Sequence, residues 1–222
     1  SEAVVEEAKR VVGGLLEASA HDVVLDIESG GFSVAGSPTV HVGWSEVAAE
    51  AGRIGEQLAE EVDFQPSGAT FPFGVHASVV EVDRETGEVT VLRHVACDDA
   101  GIIVNPPIVD GQVHGGIAAG VAQALMEEFR YADDGTPLTT NFMDYGIVSA
   151  VELPFFERIV QETPTDVNPL GVKGIGEAGT IGAMPAVQNA VVDALAHLGV
   201  HHVDIPLVSQ RVWETISSAT AD

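Results

Sequence analysis

Residues 171–185 have the sequence GVKGIGEAGTIGAMP, in which five glycines surround a single carboxylate, Glu177. Ordered glycine costs backbone entropy, so such a run needs a physical reason. Either the glycines form turns before a helix that begins near Pro185, with Glu177 as a solvated side chain, or they let a bulky ligand approach the backbone while Glu177 acts as a general base. The run lacks the GK[ST] ending of a phosphate-binding loop. Taken alone, it leaves both interpretations open.

The elements on either side of this run predict an α+β fold. Helical spacing of apolar residues predicts helices at about 2–19, 45–60, 108–126, 185–198 and 207–218. Alternating patterns predict a hairpin over 23–34, a second hairpin of strands 74–82 and 88–97, and a strand within 156–164. Because strands and helices do not alternate regularly, we expect mixed sheets with packed helices rather than a doubly wound sheet. Small residues cover much of the predicted helix 108–126, which indicates very close packing against it.

The composition excludes several classes of protein. The chain of 222 residues has 34 acidic and 9 basic side chains and a formal charge of −25, which repels nucleic acid. The scarcity of lysine beside this acid excess indicates adaptation to high salt, and an ordinary acidic protein is the alternative. The lone Cys97 excludes an internal disulfide and an iron–sulfur cluster built by this chain alone. No apolar run is long enough to span a membrane and the N-terminus lacks a signal-peptide pattern, so we expect a cytoplasmic protein.

Other polar clusters are predicted to be structural. His201, His202 and Asp204 lie close in sequence, but adjacent side chains of an extended segment point to opposite faces, and no complementary cluster stands nearby. We therefore predict no metal ligand in this chain. The remaining histidines of interest are dispersed along the sequence and are expected to be structural: His76, His94 and His114.

Three segments, taken together, favour a ligand-binding interpretation of residues 171–185. They are DDAGIIVNPPIVDGQVHGGIAAGVAQALMEE at 98–128, TTNFMDYGIVSAVELP at 139–154 and GVKGIGEAGTIGAMPAVQNAVVDAL at 171–195. In order and spacing they resemble the C-terminal part of the large, molybdopterin-binding subunit of the molybdenum hydroxylases, the family of xanthine oxidase, aldehyde oxidase and aerobic carbon monoxide dehydrogenase. The resemblance implies that residues 1–70 are a linking helix, hairpin and helix, and that residues 71–222 form the C-terminal molybdopterin-binding subdomain.

The resemblance also assigns roles to individual residues. Glu177 matches the family's catalytic base, which removes the proton from the attacking oxygen. Gln112 matches the glutamine whose amide contacts the molybdopterin, and Ile175 and Gly176 match the backbone that lies along this cofactor. Lys173 is a further candidate for a supporting role behind these contacts. Two positions depart from the family pattern, Ala119 in place of a glutamine and Val148 in place of a proline.

For the complete enzyme the resemblance implies an oxidoreductase that acts on an aldehyde, an N-heterocycle or carbon monoxide. The cofactor is expected to be molybdopterin with molybdenum, in its cytosine dinucleotide form, with iron–sulfur clusters and FAD on partner chains and a homo-oligomeric assembly. Family members are several times longer, so we expect this chain to be a fragment or one piece of a split subunit, inactive and without cofactor when isolated. The alternative is a noncatalytic binding or assembly module that keeps the fold without cofactor.

Overall fold

A computed structural model describes residues 1–220 and divides them into two compact units, residues 1–65 and a larger unit that begins at Pro66. Each unit combines a three-stranded sheet with helices, and strands do not alternate regularly with helices. The α+β class predicted from the sequence is therefore confirmed. The roles assigned to residues 1–70 and 71–222 stay a prediction.

The first unit is an antiparallel sheet with two helices. Its elements are α1 Glu2–Leu15, β1 Val23–Asp26, β2 Gly31–Val34, β3 Ser37–Gly43 and α2 Trp44–Ile54. The predicted hairpin is β1 and β2, whereas β3 was missed, since its sequence contains Pro38 and proline is uncommon within strands. Helix α2 ends six residues before the predicted position 60, since Gly55 adopts a left-handed conformation with φ of 79°.

The second unit carries the predicted second hairpin and the longest helices. Its elements are β4 Phe73–Val82, β5 Val89–Asp99, α3 Pro106–Leu125, β6 Phe156–Gln161, α4 Ala178–Leu195 and α5 Ser209–Ala219. Strands β4 and β5 are antiparallel, and β6 pairs with β5 in parallel. Valines, alanines and a few larger side chains from the sheet and the helices form one core, which includes Ile117, Val187 and Leu195.

Helices α3 and α4 approach each other closely where glycines lie at their contact. A Cβ atom added at Gly120 would lie 2.8 Å from the carbonyl oxygen of Thr180, and one added at Gly179 would lie 2.6 Å from that of Val113. The Thr180 hydroxyl donates a hydrogen bond of 3.0 Å to the Gly116 carbonyl across the same contact. The small residues of α3 therefore serve close contact with α4, which explains the packing signal in the sequence.

The start of α4 corrects the sequence prediction. The helix begins at Ala178, seven residues before Pro185, and Pro185 lies inside it. Gly179 and Gly182 are thus helical residues, and only Gly171, Gly174 and Gly176 belong to the preceding loop. The prediction was wrong because glycine and proline are ordinarily helix breakers, whereas here the glycines are required by neighbours that approach the helix closely.

Among residues 1–220, no helix combines the length and the apolar character needed to cross a membrane. The expected cytoplasmic location stays a prediction.

The excess of acidic residues predicts a salt-dependent fold. At a formal charge of −25, repulsion between like charges destabilises the compact state, and the Debye length falls to about 3 Å at 1 M salt. We expect the thermal unfolding midpoint of the 222-residue chain to rise between about 0.1 M and 3 M potassium chloride, the range over which screening becomes complete. Sucrose is the control, because a neutral solute cannot screen charge. An equal rise in sucrose, or a constant midpoint in salt, would contradict adaptation to high salt.

Candidate functional site

A pocket of about 550 Å³ lies in the second unit, beside the start of α4. Three parts of the chain line it: residues 70–72 and the start of β4, the end of β5, and the loop and first turns of α4. Aromatic rings at Phe71 and Phe73 form apolar walls, and the polar side chains of His76, Asp98 and Glu177 face the same space. Apolar walls with a few convergent polar groups are typical of small-molecule sites.

Glu177 is the residue immediately before α4, at the rim of this pocket. Its carbonyl oxygen accepts the first helical hydrogen bond, 3.0 Å from the Ile181 nitrogen, which fixes its backbone. Its side chain is exposed and makes no capping hydrogen bond to the helix. The helix thus fixes the backbone of Glu177, while no capping bond ties its carboxylate to the helix.

The residues assigned to the cofactor lie beside Glu177. A Cβ atom added at Gly176 would lie 3.7 Å from the Gln112 amide oxygen, so the exposed side chain of Gln112 on α3 reaches the loop before Glu177. The side chain of Ile175 packs against the core of the second unit, which leaves its backbone as the part that can contact a ligand. The structure therefore brings together the four residues that the sequence assigned to the site.

A buried ion pair anchors this loop to β5. Lys173 Nζ lies 2.9 Å from Asp99 Oδ2, and Asp99 Oδ1 accepts hydrogen bonds from the backbone nitrogens of Gly101 at 2.7 Å and Thr163 at 3.0 Å. The backbone nitrogen of Lys173 also donates a hydrogen bond of 2.8 Å to the Ala100 carbonyl. Burial alone would raise the pKa of Asp99, but Lys173 and the two N–H donors outweigh it and lower the pKa to about 2. Lys173 thus anchors the loop before Glu177 to the end of β5.

A hydrogen-bonded chain of four side chains, which was not predicted from the sequence, leads to the pocket residue Asp98. Ser78 Oγ lies 2.7 Å from His94 Nδ1, His94 Nε2 lies 3.2 Å from His76 Nδ1, and His76 Nε2 lies 3.1 Å from Asp98 Oδ1. Burial and the nearby His76 lower the pKa of His94 to about 4, so this imidazole is neutral near pH 7. The available signal was the hairpin register, which pairs Ser78 with His94 and places His76 two residues along the same face.

The pair His202 and Asp204 lies elsewhere and is exposed. His202 Nε2 is 2.9 Å from Asp204 Oδ1, and both side chains are more than 60% exposed. Within residues 1–220, no group of three or more His, Cys, Asp or Glu side chains is arranged to hold a metal ion.

A family model and several known proteins match most of this chain. A family model described as the molybdopterin cofactor-binding domain matches residues 1–154. The carbon monoxide dehydrogenase large chain of Hydrogenophaga pseudoflava is 35% identical over 215 residues, which are 95% of this chain and 26% of that protein. The nicotine 6-hydroxylase large subunit of Paenarthrobacter nicotinovorans is 35% identical over 218 residues, again 95% of this chain and 26% of the relative.

Solved structures of similar proteins also match this chain. The Cu,Mo-CO dehydrogenase in its carbon monoxide reduced state matches with a TM-score of 0.89 at 31% identity, over 98% of this chain and 28% of that one. Quinoline 2-oxidoreductase from Pseudomonas putida 86 matches with a TM-score of 0.83 at 36% identity, over 97% and 28%. The chain thus spans about a quarter of the length of the relatives it matches.

Proposed function

Because the chain belongs to the molybdopterin cofactor-binding domain family of molybdenum hydroxylase large subunits, we propose that it supplies the general base and part of the cofactor cradle of such an enzyme. Glu177 is the base, and Gln112, Ile175 and Gly176 contact the molybdopterin. The observation that carries the proposal is the position of Glu177, whose exposed carboxylate makes no capping bond and lines a pocket directly after Gly176, the residue that the Gln112 side chain adjoins.

The residues present fit a large planar cofactor. A Cβ atom added at Gly174 would meet nothing within 4 Å, and one added at Gly176 would meet only the Gln112 amide oxygen, so the backbone here borders open space. The Gln112 amide offers both donors and an acceptor to a heterocycle. When bound, the molybdenum cofactor supplies the two-electron oxidation and a Lewis acid that activates water.

In the reaction, this chain's part is the movement of a proton. A Glu177 carboxylate oxygen takes the proton from the attacking water-derived oxygen as that oxygen bonds to an electron-poor carbon of the substrate, or to carbon monoxide. The helix hydrogen bond from Ile181 and the Lys173 anchor fix the backbone of Glu177 beside the pocket, which reduces the entropy that must be lost on reaching the reactive geometry.

The cofactor form, the partners and the substrate class are proposed from the likeness to the relatives. Their names include a large chain of carbon monoxide dehydrogenase and a subunit gamma of a 6-hydroxypseudooxynicotine dehydrogenase complex, each longer than this chain. By this likeness, the chain works with the remainder of a large subunit, with iron–sulfur and FAD partners, and with molybdopterin cytosine dinucleotide, in a homo-oligomer of the whole assembly. The substrate is an aldehyde, an N-heterocycle or carbon monoxide. We further propose that the isolated chain is inactive and holds no cofactor, because it spans only about a quarter of the length of these relatives.

Replacing Gln112 with alanine tests the cofactor contact in the complete enzyme. Loss of two neutral hydrogen bonds, each worth about 0.5 to 1.5 kcal/mol, should weaken cofactor binding roughly 5- to 150-fold. We expect molybdenum and pterin per polypeptide to fall together, as measured by elemental analysis and by pterin fluorescence after oxidation. Gln210→Ala is the matched control, because Gln210 bonds to Glu214 on the exposed side of α5. Equal cofactor content in both variants would contradict the assignment of Gln112.

A further inference from the structure

Asp98, one of the residues that line the pocket beside Glu177, has a carboxylate oxygen without a hydrogen-bond partner among the described residues. The Asp98 side chain is 2% exposed and lines the pocket, and its Oδ1 atom accepts from His76. Its Oδ2 atom is buried and has no hydrogen-bond partner among the described residues. Buried polar atoms in folded proteins are nearly always paired, so this oxygen calls for a donor that the second unit itself does not provide.

The hydrogen-bonded chain behind Asp98 leaves that oxygen for a ligand. Since His94 is neutral, one of its ring nitrogens donates and the other accepts. If His76 donates its Nε2 proton to Asp98, its Nδ1 atom accepts from His94 Nε2, and His94 Nδ1 accepts from the Ser78 hydroxyl. Every ring nitrogen is then used, and the chain orients Asp98 without occupying Oδ2.

Two glycines close the backbone tightly around this group. A Cβ atom added at Gly74 would lie 2.3 Å from Asp98 Oδ1, and one added at Gly182 would lie 2.6 Å from the His76 ring. Side chains at these two positions would therefore displace the carboxylate or the imidazole. The absence of side chains here keeps Asp98 and His76 in place at the pocket wall.

The other walls of the pocket specify the shape of the ligand. The Phe71 and Phe73 side chains are 77% and 56% exposed, and Ile181 on α4 is 65% exposed. Exposed rings and an aliphatic side chain around one cavity suit a flat, partly apolar molecule that stacks on them. A ligand that also satisfies Asp98 must carry a proton on its edge.

We infer that Asp98 is a binding residue whose Oδ2 atom accepts a hydrogen bond from an N–H group of a planar heterocycle held in the Glu177 pocket. The identity of that heterocycle rests on the proposed function: it is either the pterin of the cofactor or a heterocyclic substrate. Ser78, His94 and His76 are positioning residues, because they act on the ligand through Asp98.

Two probes of the same shape test the hydrogen bond on the 222-residue chain. Isoquinolin-1(2H)-one carries an edge N–H, and isocoumarin, with a ring oxygen in its place, does not. We expect saturable NMR shifts at Gly74 and Gly182 with the first probe and binding about tenfold weaker with the second. Asp98→Asn keeps an acceptor for His76 but presents an amide donor to the probe, so this preference should disappear. Asp204→Asn is the control, since the same change at an exposed carboxylate should preserve it.

The result can overturn the inference in three ways. No saturable shift with the N–H probe, equal binding of both probes to the unaltered chain, or an unchanged preference in Asp98→Asn would each show that Oδ2 is not a ligand acceptor. The comparison of probes on the unaltered chain needs no variant, so it decides the matter even if Asp98→Asn folds poorly.

The complete enzyme identifies the source of the heterocycle. If Asp98 contacts the pterin, Asp98→Asn lowers pterin and molybdenum content. If Asp98 contacts substrate, cofactor content is kept and the dissociation constant of a heterocyclic inhibitor rises about tenfold. No change in either quantity contradicts the inference. These measurements do not involve Glu177 or Gln112, so a failure here is distinguishable from a failure of the proposed function.

Discussion

Replacing Glu177 with glutamine is expected to lower the turnover of the complete enzyme by about 10²- to 10⁴-fold per bound molybdenum, the range for loss of a general base. Glutamine keeps the size and the hydrogen-bonding capacity of the side chain but removes the basic oxygen. The backbone position depends on the helix bond from Ile181 and on the Lys173 anchor, which the substitution does not touch. Cofactor content and fold should therefore survive while turnover is lost.

The measurement is kcat divided by molybdenum content, with Glu85→Gln as the matched control. Glu85 lies in the turn between β4 and β5, away from the pocket-lining residues, and should leave turnover unchanged. Near-normal turnover of Glu177→Gln at full molybdenum content would show that the carboxylate is no base. The residue would then be an exposed side chain before a helix, the simpler of the two interpretations of residues 171–185.

The β4–β5 hairpin and the start of α4 show what could and could not be predicted from the sequence. Local patterns predicted the β4–β5 hairpin, because alternation and the Arg84–Gly87 turn are properties of neighbouring residues. The start of α4 was predicted seven residues late, because Gly179 and Gly182 look like helix breakers in isolation. Their function is set by distant partners, the α3 backbone for Gly179 and the His76 ring for Gly182. Such contacts are fixed only when the helices and the sheet come together.

The residues of the candidate site likewise divide into those that were predicted from the sequence and those that were missed. Gln112, Gly176 and Glu177 were found through a family pattern, and the structure places them side by side. The chain from Ser78 to Asp98 was missed because its members lie on two strands, and their contacts depend on strand register and on a shift in that register between Val79 and Val80. A β-bulge of this kind changes which side chains share a face, and the sequence gives little indication of it.

Asp99→Ala is expected to destabilise the second unit by about 3 to 5 kcal/mol, the cost typical of breaking a buried ion pair by removing one partner. The Asp99 side chain is fully buried and that of Lys173 is 10% exposed. The substitution leaves the Lys173 ammonium and the backbone nitrogens of Gly101 and Thr163 without their acceptor. Urea unfolding, followed by a probe in the second unit, measures the loss.

Two comparisons separate the ion pair from a general effect of removing an aspartate. Asp204→Ala removes an exposed carboxylate bonded to His202 and should change the free energy of unfolding by less than about 1 kcal/mol, as for other surface pairs. Asp99→Ala combined with Lys173→Met removes both charges and should recover part of the loss, because no buried ammonium remains. Equal effects of Asp99→Ala and Asp204→Ala would contradict the buried anchor.

The same pair predicts how stability depends on pH. The pKa of Asp99 is about 2 in the folded protein against an ordinary value of 3.8, so the folded state releases this proton more readily than the unfolded chain does. Its contribution to stability is therefore fully present above about pH 4 and is lost as pH falls from there through about 2. The difference in stability between the unaltered chain and Asp99→Ala should shrink over that interval. A difference that stays constant down to pH 2 would show that the Asp99 carboxylate does not hold its charge through Lys173, and that the loop before Glu177 is anchored by its backbone alone.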